Sequence, residues 1–179
     1  TDKNDWTNTN VILEATYPQY SSDYIKEIST DGGKTYSTYT NKISVSQNCD
    51  IKARVKKGDQ IFLENSLSIS KIDRDKPTAQ VTVSKIVFGL NAQITGSDVG
   101  SGLNYNKCKY MINNSSTKLG ENEALYTTGT LSGSSVSLKK VMAGGTYYVH
   151  VLVTDKVGNK NEIVSSSVVV DSVLNYAYT

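Results

Sequence analysis

The sequence predicts an all-β chain folded as two tandem sandwiches, and three observations carry that prediction. Apolar residues alternate with polar ones at a period of two, most clearly at Val149, Val151 and Val153. Turn residues such as Asp31-Gly32-Gly33 separate these runs at intervals of roughly 8–12 residues, the spacing of a sandwich rather than of an α/β sheet. A pattern of strand, glycine turn, serine-rich strand and closing aspartate occurs twice.

The elements follow in order. Val11, Leu13 and Ala15 mark a first strand. Strands over Tyr24–Ile28 and Tyr36–Tyr39 flank TDGGKT, where glycine reaches positive φ without steric cost and makes a hairpin. Ile43 and Val45 mark another strand, and Ile51, Ala53 and Val55 lead to a turn at Gly58. A serine-rich strand, Ser66–Ile69, then closes at Ile72-Asp73. Four charges and a proline in Asp73-Arg74-Asp75-Lys76-Pro77 form the joint, because such a run cannot sit in a core or a central ladder. The second half reads likewise. Val81 and Val83, Ala92 and Ile94, and Val136 and Leu138 alternate, and SDVGSGL makes a tight bend at Asp98, Gly100 and Gly102. Gly120–Tyr126 holds helix formers but is too short for more than a turn or two. Val149–Val153 is followed by the hairpin connection TDKVGNKN, then Ile163–Val170 and a closing Asp171. The predicted domains are 1–76 and 77–172, with 173–179 as a tail or the start of a linker.

At 179 residues the chain has length for two small domains, and with 37% hydrophobic and 20% charged residues it is not of disordered composition. A formal charge of +2, with Lys56-Lys57 and Lys139-Lys140 the only paired cations, does not describe a nucleic-acid surface. No apolar run approaches the roughly 20 residues that span a bilayer, so no membrane insertion of this segment is expected. The chain starts at Thr1, which is the expectation for a processed or excised segment. Cys49 and Cys108 fall in different halves and are expected as small, semi-buried residues rather than a bridge.

Several segments carry a family resemblance. WTNTNVILEA, EISTDGGKTYSTYT, NCDIKARVKKGDQ and SISKIDRDKP resemble the immunoglobulin-like repeats of large secreted and cell-surface proteins of Gram-positive bacteria and their phages. DVGSGL, GGTYYVHVLVTDKVGNKNE and the closing VVVD are similar to the same group, so the resemblance runs from Trp6 to Asp171. It implies an all-β architecture of two tandem immunoglobulin-like β-sandwiches, placed extracellularly or at the cell surface and used as stalk, spacer or adhesive module. The chain departs from antibody domains, since the disulfide is missing and Trp6 precedes the first strong strand.

Reactive chemistry is sparse. His150 is the sole histidine, lies on the face opposite Val149 and Val151, and is expected to point outward as a surface or satisfied residue. Neither a nucleophile nor an orienting carboxylate can be assigned to it, and Glu121 and Glu123 lie two apart in a loop. No catalytic residue is assigned and no enzyme is predicted. Asp73 and Asp75 are the candidate metal ligands: with oxygens from Asp98 or Asp155 they offer Ca²⁺ a carboxylate set and would stiffen the joint. Arg74 and Lys76 offset that field, which leaves a solvated hinge as the competing expectation, and no other cofactor is called for. Lys85, Asn161 and Glu162 are the residues available for a lysine–asparagine crosslink, though their spacing fits no defined pattern. The 12 tyrosines, against 2 Phe and 1 Trp, carry the best binding argument. Tyr17, Tyr20 and Tyr24 are the candidate ligand-binding group, since tyrosine offers a rigid apolar face with a hydrogen-bonding tip; the alternative is that the rings cap sheet edges and fill cores. The expected partner is an extracellular protein or a glycan. The expected function is a non-catalytic structural or adhesive module of a larger extracellular bacterial protein. The rival is a carbohydrate- or protein-binding accessory module of a secreted enzyme or phage particle.

Overall fold

A computed structural model of the chain describes residues 5–19 and 21–172, so Tyr20 and the 173–179 tail lie outside the described residues. The chain divides into two compact units, Thr1–Arg74 and Asp75–Thr179. Both are β-sandwiches.

Unit 1 holds β1 (Val11–Leu13), β2 (Ile25–Ser29), β3 (Ser37–Thr38), β4 (Ile43–Val45), β5 (Cys49–Lys57) and β6 (Gln60–Ile69). One sheet pairs β1 with β4, and the other runs β3-β2-β5-β6, all antiparallel. The TDGGKT connection is built by Asp31. Its carboxylate accepts the N–H groups of Lys34 and Thr35 at 3.0 Å and the Thr35 hydroxyl at 2.6 Å. Gly32 and Gly33 turn the chain at φ 76° and 94°. Ile28, Val45, Ile51 and Ile72 form the core, with Val11, Leu13, Ala15, Tyr39 and Ile43 packed against it. Thr7 forms a parallel bridge to Ile72, its N–H donating to Lys71 O at 2.9 Å and its carbonyl accepting Asp73 N–H at 2.8 Å.

Unit 2 holds β7 (Thr78–Ile86), β8 (Gly89–Ser97), β9 (Lys109–Asn113), β10 (Gly129–Thr130), β11 (Ser135–Val141), β12 (Gly145–Thr154), β13 (Lys160–Val164) and β14 (Val168–Val170). Its smaller sheet runs β11-β8-β7; the larger runs β10-β9-β12-β13, with β14 also on β12. Leu90, Ala92 and Ile94 of β8 meet Val149, Val151 and Val153 of β12 in a core closed by Cys108, Tyr110 and Leu131. The Gly120–Tyr126 stretch contains a single 3-10 turn, Glu123–Leu125, opened by the Asn122 side chain accepting Ala124 N–H.

Strand for strand, β8 to β13 repeat the pairing of β1 to β6. This is the strand order of an immunoglobulin-like sandwich, with three strands on one face and four or more on the other in unit 2. Unit 2 adds β7 at the edge of its smaller sheet, where β7 also packs against β12, β13 and β14. Unit 1 has no counterpart of β7 among its described residues, and its candidate site follows from that difference.

Candidate functional site

In unit 1 the residues after β1 are held by tyrosines rather than by strand pairing. Ala15 N–H donates to the Tyr39 hydroxyl at 3.0 Å, and the Tyr17 hydroxyl donates to Glu27 O at 2.8 Å. The Tyr17 and Tyr39 rings meet with centroids 5.2 Å apart. Burial, reinforced by Tyr39 and the Glu27 charge, pushes the Tyr17 phenol above its ordinary range. Between this pinned segment and the larger sheet lies a groove of 230 Å³, lined by Leu13, Ala15, Ile28, Ile51, Ala53 and Leu67 among others.

The groove continues onto β6, the last strand of its sheet. Register places Leu63, Asn65 and Leu67 opposite Val55, Ala53 and Ile51, so all six share the inner face. Val55 is fully buried, yet Leu63 is 42% and Leu67 41% exposed. In unit 2, β7 of the facing sheet packs against the equivalent strand β13, and the described residues of unit 1 supply no such strand. Where the β5–β6 register shifts next to Val55, Phe62 meets the Tyr24 ring edge-on at 5.1 Å, and the Lys57 ammonium sits 5.2 Å from the Tyr24 centroid. Lys57 is fixed there by Asp23, whose carboxyl is lowered to about 2 by the Lys57 contact first and Ser21 second. An edge unpaired among the described residues and an apolar inner row therefore lie on β6, and an aromatic pair under a cation is built against it by Phe62, Tyr24 and Lys57. Such an edge can accept an extended peptide by strand addition, and the aromatic pair can stack a sugar ring or an apolar side chain.

The residues singled out from sequence are distributed as follows. Tyr17 and Tyr24 are both half-buried and have separate partners, while Tyr20 is outside the described residues. Asp73 closes unit 1 and is buried, and Asp75 opens unit 2. In unit 2, Asp98 accepts Gly102 N–H at 2.7 Å. Asp155 accepts the N–H groups of Val157, Gly158 and Asn159 at 3.0, 2.6 and 2.8 Å. These two carboxylates approach within 4.8 Å of each other, but each is the acceptor that folds its own loop. The crosslink candidates are engaged separately: Lys85 with Asp171 at 2.5 Å, Asn161 with Pro77 O at 3.0 Å, and Glu162 with His150 at 3.0 Å. Cys49 and Cys108 are free thiols.

His150 does not point to solvent. It is fully buried, because the 114–128 connection folds across the face of β12 that alternation left open. Nδ1 lies 3.0 Å from Glu162 Oε1, while Nε2 lies 2.8 Å from Ser115 O and 3.1 Å from Asn113 Oδ1. Two acceptors at Nε2 mean that this nitrogen carries a proton. Glu162 also accepts Leu119 and Gly120 N–H at 2.8 and 2.7 Å, and Tyr126 donates to Gly120 O at 2.7 Å. Burial pushes the Glu162 carboxyl up, but the Leu119 and Gly120 amides, with His150 and Tyr126, outweigh it and hold the group below its ordinary range. Burial first, then the Glu162 charge, pushes the Tyr126 phenol up. This is a clasp for a loop, with both ring nitrogens occupied.

Among solved structures, the chain is similar to the fibronectin(III)-like modules of Clostridium thermocellum CbhA. That likeness has a TM-score of 0.42 at 13% identity and covers 99% of this chain and 97% of that one. Similarity to the selenomethionine-substituted chicken interferon gamma receptor alpha chain has a TM-score of 0.30 at 12% identity, over 92% of this chain and 91% of that one. No protein-family model and no curated protein matches the chain. No helix among the described residues is long and apolar enough to cross a membrane.

Proposed function

We propose that the chain is a non-catalytic structural and adhesive module, a stalk or spacer of a larger extracellular bacterial protein, and that unit 1 carries its binding face. The observation that supports this is the open β6 edge, where Ile61, Phe62, Leu63 and Leu67 are 48%, 45%, 42% and 41% exposed on one strand. Natural sandwiches blunt such an edge with charge, proline or a covering strand, and β6 carries one charged residue, Glu64. The sole histidine and its carboxylate partner are engaged in holding a loop, which favours a structural over a catalytic role for that pair. A glycan- or protein-binding accessory module is the second reading, favoured by the Tyr24–Phe62 pair beneath Lys57. The test is binding of the full chain to glycan arrays and extracellular-matrix proteins, with Leu63→Lys and Phe62→Ala as variants. Binding lost in Leu63→Lys supports the edge, and binding lost only in Phe62→Ala supports the aromatic platform. Binding unchanged in both refutes unit 1 as the binding face.

A further inference from the structure

We propose that the end of unit 2 formed by the β7–β8 turn and the last residue of β11 docks peripherally on an anionic lipid bilayer. The tip is apolar: Val87 is 80%, Phe88 50% and Val141 83% exposed. These side chains form one patch, because Met142 N–H donates to Phe88 O at 3.0 Å and Gly89 pairs with both Ile86 and Val141.

The turn is built at the expense of local comfort. Phe88 holds φ at 54°, a left-handed conformation that favours glycine and is uncommon for a bulky residue. The neighbouring glycine cannot be moved to relieve it, since a Cβ on Gly89 would lie 2.1 Å from Lys140 O. A large aromatic kept at a strained, half-exposed tip points to a use for the ring itself.

Cations ring this tip. Lys85 precedes the turn, and Lys139 and Lys140 precede Val141, both exposed. Lys85 takes Asp171 at 2.5 Å, and among the described residues Lys139 and Lys140 have no ion-pair partner. The other acidic residues of unit 2 lie elsewhere. Asp75, Asp98 and Asp155 are at the opposite ends of β7, β8 and β12, and Glu121, Glu123 and Glu162 are on the 114–128 connection and β13.

The pattern discriminates between surfaces. Lysine is depleted in protein–protein interfaces, whereas at a bilayer its stem lies along the acyl boundary and its ammonium meets the phosphates. A convex tip of Val and Phe inserts into a soft interface rather than receiving a partner's anchor. The surface is distinct from the β6 edge and stands independently of the function proposed for unit 1.

The test is co-sedimentation of the full chain with vesicles of phosphatidylcholine alone and of phosphatidylcholine mixed with phosphatidylglycerol. Binding to the anionic vesicles alone, weakened by added salt, is expected. Lys139→Gln with Lys140→Gln lowers it roughly 30-fold, two charge contacts at about 1 kcal/mol each. Phe88→Gly removes the ring and relieves the turn, so binding falls while Tm is unchanged or higher; Val87→Ser serves as the second tip variant. Absence of vesicle binding, or full binding by both tip variants, overturns the proposal. Binding to polyglutamate without binding to anionic vesicles overturns it in favour of an acidic protein partner.

Discussion

Replacing Glu162 by glutamine is the sharpest test of how unit 2 is closed. The carboxylate side chain is 3% exposed and accepts two backbone N–H groups from Leu119 and Gly120 besides facing His150 Nδ1. Glutamine keeps one acceptor oxygen and puts an N–H₂ group where the other accepted, so at least one buried donor is left facing a donor. An unsatisfied buried group costs about 1–3 kcal/mol, and removing one partner of a buried charged pair about 3–5 kcal/mol. A loss near 3 kcal/mol is therefore expected for Glu162→Gln, roughly 12–24 °C in the Tm of a unit this size. The acid limb has a definite sign. The folded carboxyl is held below its ordinary value, so its contribution is fully present above the unfolded value of 4.5 and fades as pH falls through the folded one. Wild-type unit 2 should lose stability across that window, and Glu162→Gln should lose less. Hydrogen exchange supplies the local readout, with the Leu119 and Gly120 amides unprotected in the variant at neutral pH. Equal protection in both proteins, or a Tm change under about 2 °C, refutes the clasp.

Three further outcomes are expected. Val55→Ala should cost about 2–3 kcal/mol in urea unfolding and Leu67→Ala about 1 kcal/mol or less, because Val55 is fully buried and Leu67 is 41% exposed. Comparable losses would mean the groove is filled in solution. Asp155→Ala should destabilise unit 2 by about 2–4 kcal/mol, since three N–H groups lose one shared oxygen, and Asp155→Asn should recover most of it by keeping that oxygen. Thiol titration of the native chain should modify Cys49 well before the fully buried Cys108; burial pushes both thiols up, and Cys108 should react only on unfolding.

The parts of this architecture that are legible in the sequence are those decided locally. Asp31-Gly32-Gly33 and Asp155 to Asn159 build their turns from side chains within four residues, so the motif carries the geometry. The repeated order of strand, glycine and strand likewise needs no long-range knowledge. His150 shows where this runs out. Alternation correctly separates it from Val149 and Val151, but a period of two says which residues share a face and not what covers that face. Leu152, on the same side and also fully buried, was the available signal, together with the long connection between Asn113 and Gly129. The β6 edge fails in the opposite sense. Leu63 and Leu67 alternate as a buried row does, yet among the described residues no strand buries them, and no local pattern reports a missing neighbour.

The tyrosines bring these two cases together. In several segments that run without a ladder to hold them, a phenol bonds the backbone in place of strand pairing. Tyr39 accepts from Ala15 and Tyr17 donates to Glu27 O beside the groove; Tyr126 donates to Gly120 O under the clasp, and Tyr147 to Ala143 O between β11 and β12. Phenylalanine would fill the same volume but leave those backbone groups to solvent or unpaired. The excess therefore reflects how irregular segments are fastened more than how a ligand is gripped. Tyr24 is the informative exception: its ring lies against Phe62 on an open edge, under a cation held by Asp23. Of the two described tyrosines singled out from sequence, Tyr24 is thus the one whose geometry still favours recognition, since it precedes β2 and its ring packs on Phe62 of the edge strand β6.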